Sequence, residues 1–180
     1  MTLSPGLRKL VRTAHVAVTV AWLGSVVCFL ALAIAGLMST DLEAVRASYI
    51  SMGLIAQFVI VPLSLAPLVT GPVLSLGTPW GLFRHYWIVF KLAITVLAAL
   101  ALTLHMQPIS GLAAAAMESP LSNSDLRELR TQLVIYAVAA LLALLVATGL
   151  AVYKPRGLTP YGWSRQIPAG KHRKPDEGGS

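Results

Sequence analysis

The sequence predicts an all-α polytopic membrane protein, a four-transmembrane-helix bundle whose second helix is kinked by prolines. Three observations lead there. The 180 residues are 56% hydrophobic and only 12% charged, with a mean hydropathy of +0.73, more apolar than a soluble chain of this length needs. Charge-free runs long enough to cross ~30 Å of hydrocarbon at ~1.5 Å per residue recur along the chain. The cations behind the +7 net charge sit in short clusters beside those runs and form no continuous basic face. They read as topology signals, with the lipid bilayer and its anionic headgroups as partner and no nucleic acid. Cys28 stands alone, so the chain has no internal disulfide and no thiolate cluster.

The first span is expected at about residues 11–38. Ser4 and Pro5 form a helix start, Arg8, Lys9 and Arg12 follow, and Thr13 to Thr40 is 28 residues without Asp, Glu, Lys or Arg. A secretory signal is the rival reading, with Ala33 and Ala35 imitating a cleavage site. The apolar run exceeds the ~7–15 residues of a signal core, which favours the span.

Thr40, Asp41, Leu42 and Glu43 form a capping-box pattern that starts the second helix after a very short loop. Its span is expected at about 47–72, inside a charge-free stretch of 37 residues from Ala47 to Phe83. Pro62, Pro67 and Pro72 each remove a backbone donor and crowd a carbonyl four residues earlier. The helix should therefore kink near Pro62 and unwind by Gly71, with Gln57, Ser64 and Thr70 available to the freed carbonyls. Pro62, Pro67 and Gly71 are the candidate hinge.

Residues 71–91 hold turn formers, interfacial rings and cations, as expected of a loop at the membrane surface, with Trp80 and Trp87 among the rings. The third span is expected at about 86–106, stopped by Pro108, with an outer loop over 107–122. Ser122 and Asp125 read as a cap, Leu126 to Gln132 as an exposed helical extension, and 131–153 as the fourth span, ended by Lys154 and Pro155. Residues 1–165 make one transmembrane domain and 166–180 a disordered tail. Ala139, Ala143, Ala147 and Ala151, and likewise Ala17, Ala21 and Ser25, recur every fourth residue. Such small faces let two helices, a second copy or a partner subunit approach closely, although alanine is also simply common in membrane helices.

Of the 14 Lys and Arg, only Arg46, Arg127 and Arg130 fall in the outer loops when the N-terminus is inside. That asymmetry places both termini in the cytoplasm, at an inner membrane.

Candidate sites are few. Arg8, Arg12, His15, Thr19 and Trp22 share one helical face, read as facing the bundle. His15 and His85 are the two histidines expected at one depth, where a haem b could take two imidazoles; the bland reading is a helix-packing His15 and an interfacial His85. Lys91 lies more than a turn into the third span, where no carboxylate can neutralise it. It either snorkels to the headgroups or marks a ligand site. Arg84, seven residues earlier, would share its face and help hold a lipid phosphate, with Arg12 and Trp87 as further ligand or lipid contacts. No metal site and no catalytic residue is expected, since no nucleophile elbow, phosphate loop or zinc-spaced His/Glu pair occurs.

The segments AHVAVTVAWLG at 14–24, SLGTPWGLFRHYWIVFK at 75–91 and YKPRGLTPYGW at 153–163 resemble an uncharacterised bacterial family of four-span integral membrane proteins, a domain of unknown function, over nearly the whole chain. His15, Trp22 and Gly24 are also similar to a pattern in copper-resistance membrane proteins of the CopD type. Without the further spans and ligand clusters of a copper importer, these likenesses imply a fold and a location and no particular activity. The function expected is a small accessory or scaffold protein, not an enzyme, with a lipid or small-molecule cleft against the second helix. A haem b or quinone-linked redox protein using His15 and His85 is one alternative, and a small permease hinged over Pro62 to Pro72 another.

Overall fold

The computed structural model describes residues 4–77, 82–118, 124–155 and the single positions Gly157, Thr159, Pro160 and Trp163. The loop positions Thr78 to Gly81, the Ser122 cap, Arg156, Tyr161 and the tail lie outside them. Five α-helices make four rods: α1 (Pro5–Met38), α2 (Leu42–Ile55) and α3 (Val61–Leu76) joined by a π turn (Ala56–Ile60), α4 (Tyr86–Glu118) and α5 (Ser124–Tyr153). Each rod contains a stretch long and apolar enough to cross a membrane. At most 28% of the most apolar window in any rod is buried, so the outer surface is itself greasy and needs lipid around it. Val20, Phe58, Val69, Phe90, Leu104 and Leu142 are among the large apolar side chains that face outward.

Local chemistry explains the ends. Ser4 Oγ accepts the Leu7 amide at 3.4 Å, and Pro5 occupies the first turn, where its missing donor costs nothing. Asp41, not Thr40, caps α2: its carboxylate accepts the Glu43 amide at 3.1 Å from an extended backbone. An ionised acceptor suits the positive end of a helix better than a threonine hydroxyl. Lys154 closes α5 with a positive φ of 43° and donates its amide to Leu150 O, and Pro155 prevents further winding.

Prolines do less than expected. The second rod does not unwind at Gly71; α3 continues to Leu76, where the Gly77 amide meets Val73 O at 3.0 Å. The departure from α geometry comes earlier, as the π turn just before Pro62. A widened turn there relieves the crowding that a proline ring imposes on the preceding turn. Ser64 and Thr70 do not serve the carbonyls four residues before the prolines; they donate to Val61 O and Ala66 O. Pro108 does not stop α4, which runs on to Glu118 and replaces the first part of the expected outer loop. Ile109, the next residue, is 5% exposed within the core, and that burial favours continuing the helix.

The rods form a square. α1 and α4 each pack along the α2–α3 rod and along α5, while among the described residues the backbones of the diagonal pairs stay apart and meet through long side chains, Lys91 reaching His15 and Arg130 reaching Tyr49. The main core joins Trp22, Val26 and Phe29 of α1, Tyr49 and Met52 of α2, and Leu133 and Leu144 of α5. It occupies the half of the bundle nearer the 39–41 connection. At that end the Tyr49 ring lies against Gly36 with the Arg130 guanidinium 5.3 Å from its centroid, a cation–π contact. A Cβ on Gly36 would come within 2.8 Å of that ring.

Gly36→Ala is expected to cost ~1–3 kcal/mol by forcing the buried Tyr49 aside. Gly24, where an added Cβ would meet nothing within 4 Å, is the control; Gly24→Ala should match or exceed the parent by up to ~1 kcal/mol. Thermal unfolding in detergent checks both.

Candidate functional site

The half of the bundle nearer residues 82–86 is built around three polar side chains from three rods. His15 of α1 reaches Thr70 of α3 through Nδ1 at 2.8 Å and Lys91 of α4 through Nε2 at 3.4 Å. Donor chemistry fixes the direction of this chain. The Thr70 hydroxyl proton is committed to Ala66 O at 2.8 Å, so its oxygen accepts from His15 Nδ1–H. Nε2 is then the lone-pair side of the imidazole and accepts from the Lys91 ammonium, which has donors only. The order is Lys91 to His15 to Thr70 to Ala66 O.

Each member is held in place. Thr19 Oγ1 donates to His15 O, Thr95 Oγ1 donates to Lys91 O, and Gly71 lies 3.5 Å from the His15 ring as measured from an added Cβ. Gly71 is thus a packing position inside a helix in this structure. The 3.4 Å contact is longer than the ~2.9 Å of a typical N–H bond to its acceptor, and an ammonium has two further donors to satisfy. No Asp or Glu occurs between Glu43 and Glu118, so no carboxylate on the neighbouring stretches of the second rod or α4 is available.

The other expected residues divide. Arg8 and Arg12 are exposed, while His15 and Thr19 are half-buried and Trp22 is buried, so the shared face of α1 turns inward only from His15 onward. Arg12 instead borders a shallow surface depression with Thr13, Val16 and Ala17. Arg84 precedes α4 in a bend, so helical spacing does not put it on one face with Lys91. His85 sits at the start of α4, 6.4 Å from the Trp87 ring, and its carbonyl accepts the Ile88 amide. His15 meets α4 six residues further on, roughly 9 Å along the axis. Joint iron ligation with His85 would require His15 to release Lys91 or Thr70. Among the described residues no group of three or more His, Cys, Asp or Glu could hold a metal ion.

Two arrangements had no signal in the spacing. The 82–86 bend is covered by the segment after α5: Tyr86 N–H donates to Gly157 O, Thr159 N–H to Arg84 O at 3.1 Å, and Thr159 Oγ1 to Phe83 O. A cavity of about 350 Å³ lies in the other half of the bundle, between α1, α4 and α5. Among the described residues the second rod lines it through Ile60 alone. Ala139 and Ala143, expected as helix-packing positions, line this cavity, whereas Ala147 is buried.

Comparisons with protein-family models, with curated proteins and with solved structures return no match for this chain.

Thr70→Val should leave His15 Nδ1–H without its acceptor and cost ~1–3 kcal/mol, whereas the double change His15→Leu with Thr70→Val should recover much of that loss. Thermal melts of the single and double variants give the coupling directly. Nitrogen NMR of labelled His15 should report the proton on Nδ1.

Proposed function

We propose that this chain is a small multi-pass accessory or scaffold protein of a bacterial cytoplasmic membrane, with both termini inside, that holds an anionic lipid headgroup beside Lys91. The observation that carries this reading is the inward course of Lys91. Its ammonium runs to His15 across the bundle, where a snorkelling lysine would run along the helix surface to the headgroups. A charge kept there without a carboxylate is costly, and an anion supplied from outside the protein offsets that cost.

The surroundings suit a phosphate-bearing headgroup. Arg84 is half-buried at the same end, and Trp87 and Tyr86 provide rings of the kind that settle at a lipid interface. Arg12, exposed on α1, adds charge at the surface without belonging to the inner chain. The lack of carboxylates in the apolar cores of the rods removes the usual coordinating groups of an ion-coupled transporter, which favours a binding role over a pumping one.

Lys91→Met should lower the anionic phospholipid retained through detergent purification roughly fivefold, the equivalent of ~1 kcal/mol for one cation near anionic lipid, while Lys91→Arg retains most of it. Lipid mass spectrometry normalised to zwitterionic lipid gives the ratio. Unchanged retention in Lys91→Met would overturn the proposal.

A further inference from the structure

The cavity between α1, α4 and α5 is separate from the Lys91 chain and has its own chemistry. It is elongated: on α4 it reaches from Ile94 to Ile109, roughly 22 Å of helix. Its wall is apolar apart from His105, Tyr136 and the indole N–H that Trp22 carries, and no charged side chain among the described residues lines it. The exposed Leu97 and Ala101 of α4 and Tyr136 and Ala139 of α5 are part of the lining, so the cavity opens to the lipid-facing surface between those helices. An apolar cavity of ~150 Å³ accepts benzene, so about 350 Å³ admits one six-membered ring and the first part of a chain.

The polar end has a definite hydrogen-bonding sense. His105 Nδ1 is 2.6 Å from Ala101 O, and a carbonyl only accepts, so Nδ1 carries the proton. In the neutral ring Nε2, on the side away from that backbone, is then an acceptor. The Tyr136 ring is tilted by 58° with its centroid 4.1 Å from the His105 ring, so its hydroxyl belongs to the same end of the cavity. An acceptor and a hydroxyl at the end of an uncharged slot call for a neutral head that can donate a hydrogen bond.

We propose that this cavity binds a neutral, ring-headed lipid of the quinol class, its ring hydroxyl donating to His105 Nε2 beside Tyr136 and its chain lying along Ala140, Leu102 and Trp22. An oxidised quinone offers acceptors alone, so it loses the His105 bond and keeps only what the Tyr136 hydroxyl donates. The site therefore distinguishes the two forms by donor count.

The test is calorimetric titration of the full chain in detergent with 2-decyl-hydroquinone, 2-decyl-benzoquinone and dodecane. Saturable one-to-one binding is expected for the hydroquinone, about tenfold weaker binding for the quinone, and weaker still for the hydrocarbon. His105→Leu should abolish the preference for the reduced form, and Ala140→Phe, which fills the slot, should abolish saturable binding of all three. Circular dichroism melts show that each variant is folded, and Tyr136→Phe provides a second reading of the polar end if His105→Leu is not. Equal, non-saturable uptake of the three probes, unchanged by Ala140→Phe, would overturn the proposal and leave a crevice for ordinary acyl chains. A reduced-form preference that survives His105→Leu would overturn the assignment of the head.

Discussion

Lipid cannot hydrogen-bond, so polar groups in the rods must find partners within the protein, and this requirement organises the bundle. Most serine and threonine side chains meet it locally. Thr19, Ser25, Ser48, Ser64, Thr70, Thr95 and Thr148 all donate to a carbonyl three or four residues earlier in the same helix. Lys91 has no such local solution, because an ammonium cannot be silenced by one backbone carbonyl. Its recourse is the lone pair of His15, which is presented correctly only because Thr70 holds the opposite nitrogen. Three rods are tied together by that demand.

The two halves of the bundle are accordingly different materials. Toward the 39–41 connection the packing is apolar, and Gly36 admits the ring of Tyr49 to a contact no larger residue would permit. Small side chains on α5 give opposite results along one helix. Ala147 is buried, while Ala139 and Ala143 stand at a cavity that bulkier residues would close. Toward the 82–86 bend the structure relies on polar links, including the backbone bonds from Gly157 and Thr159 that cover the start of α4. Dense packing and the cavity thus share one half of the bundle, with Trp22, Phe29 and Leu133 belonging to both, while the polar links hold the other.

Four apolar rods were legible because crossing a membrane needs an apolar length that shorter segments such as a signal core do not reach. Caps at Ser4 and Lys154 were legible for a similar reason, being set by neighbouring residues. Pro108 misleads because the burial of Ile109, which favours continuing the helix past it, exists only in the assembled bundle. The π turn before Pro62 was hidden for a related reason: a sequence shows that a proline must be accommodated but not which turn widens. His15 and Lys91 were recognisable as polar residues in apolar runs. Their meeting through Thr70, 55 residues from His15, has no spacing to reveal it. Phe83 to Tyr86 and Gly157 to Thr159, drawn from two stretches distant in sequence, are joined at the described positions by hydrogen bonds from Tyr86 N–H to Gly157 O and from Thr159 to Arg84 O and Phe83 O.

The central claim is that the rods cross a membrane with the Lys91 end on the inner side, and thiol labelling tests it most directly. In a Cys28→Ser background, single cysteines at the exposed positions Lys9 and Thr40 mark opposite ends of α1. An impermeant maleimide added to intact cells should label Thr40→Cys and reach Lys9→Cys only after permeabilisation. Labelling of Lys9→Cys in intact cells would contradict the orientation, and labelling of both from the same side would contradict the crossing itself.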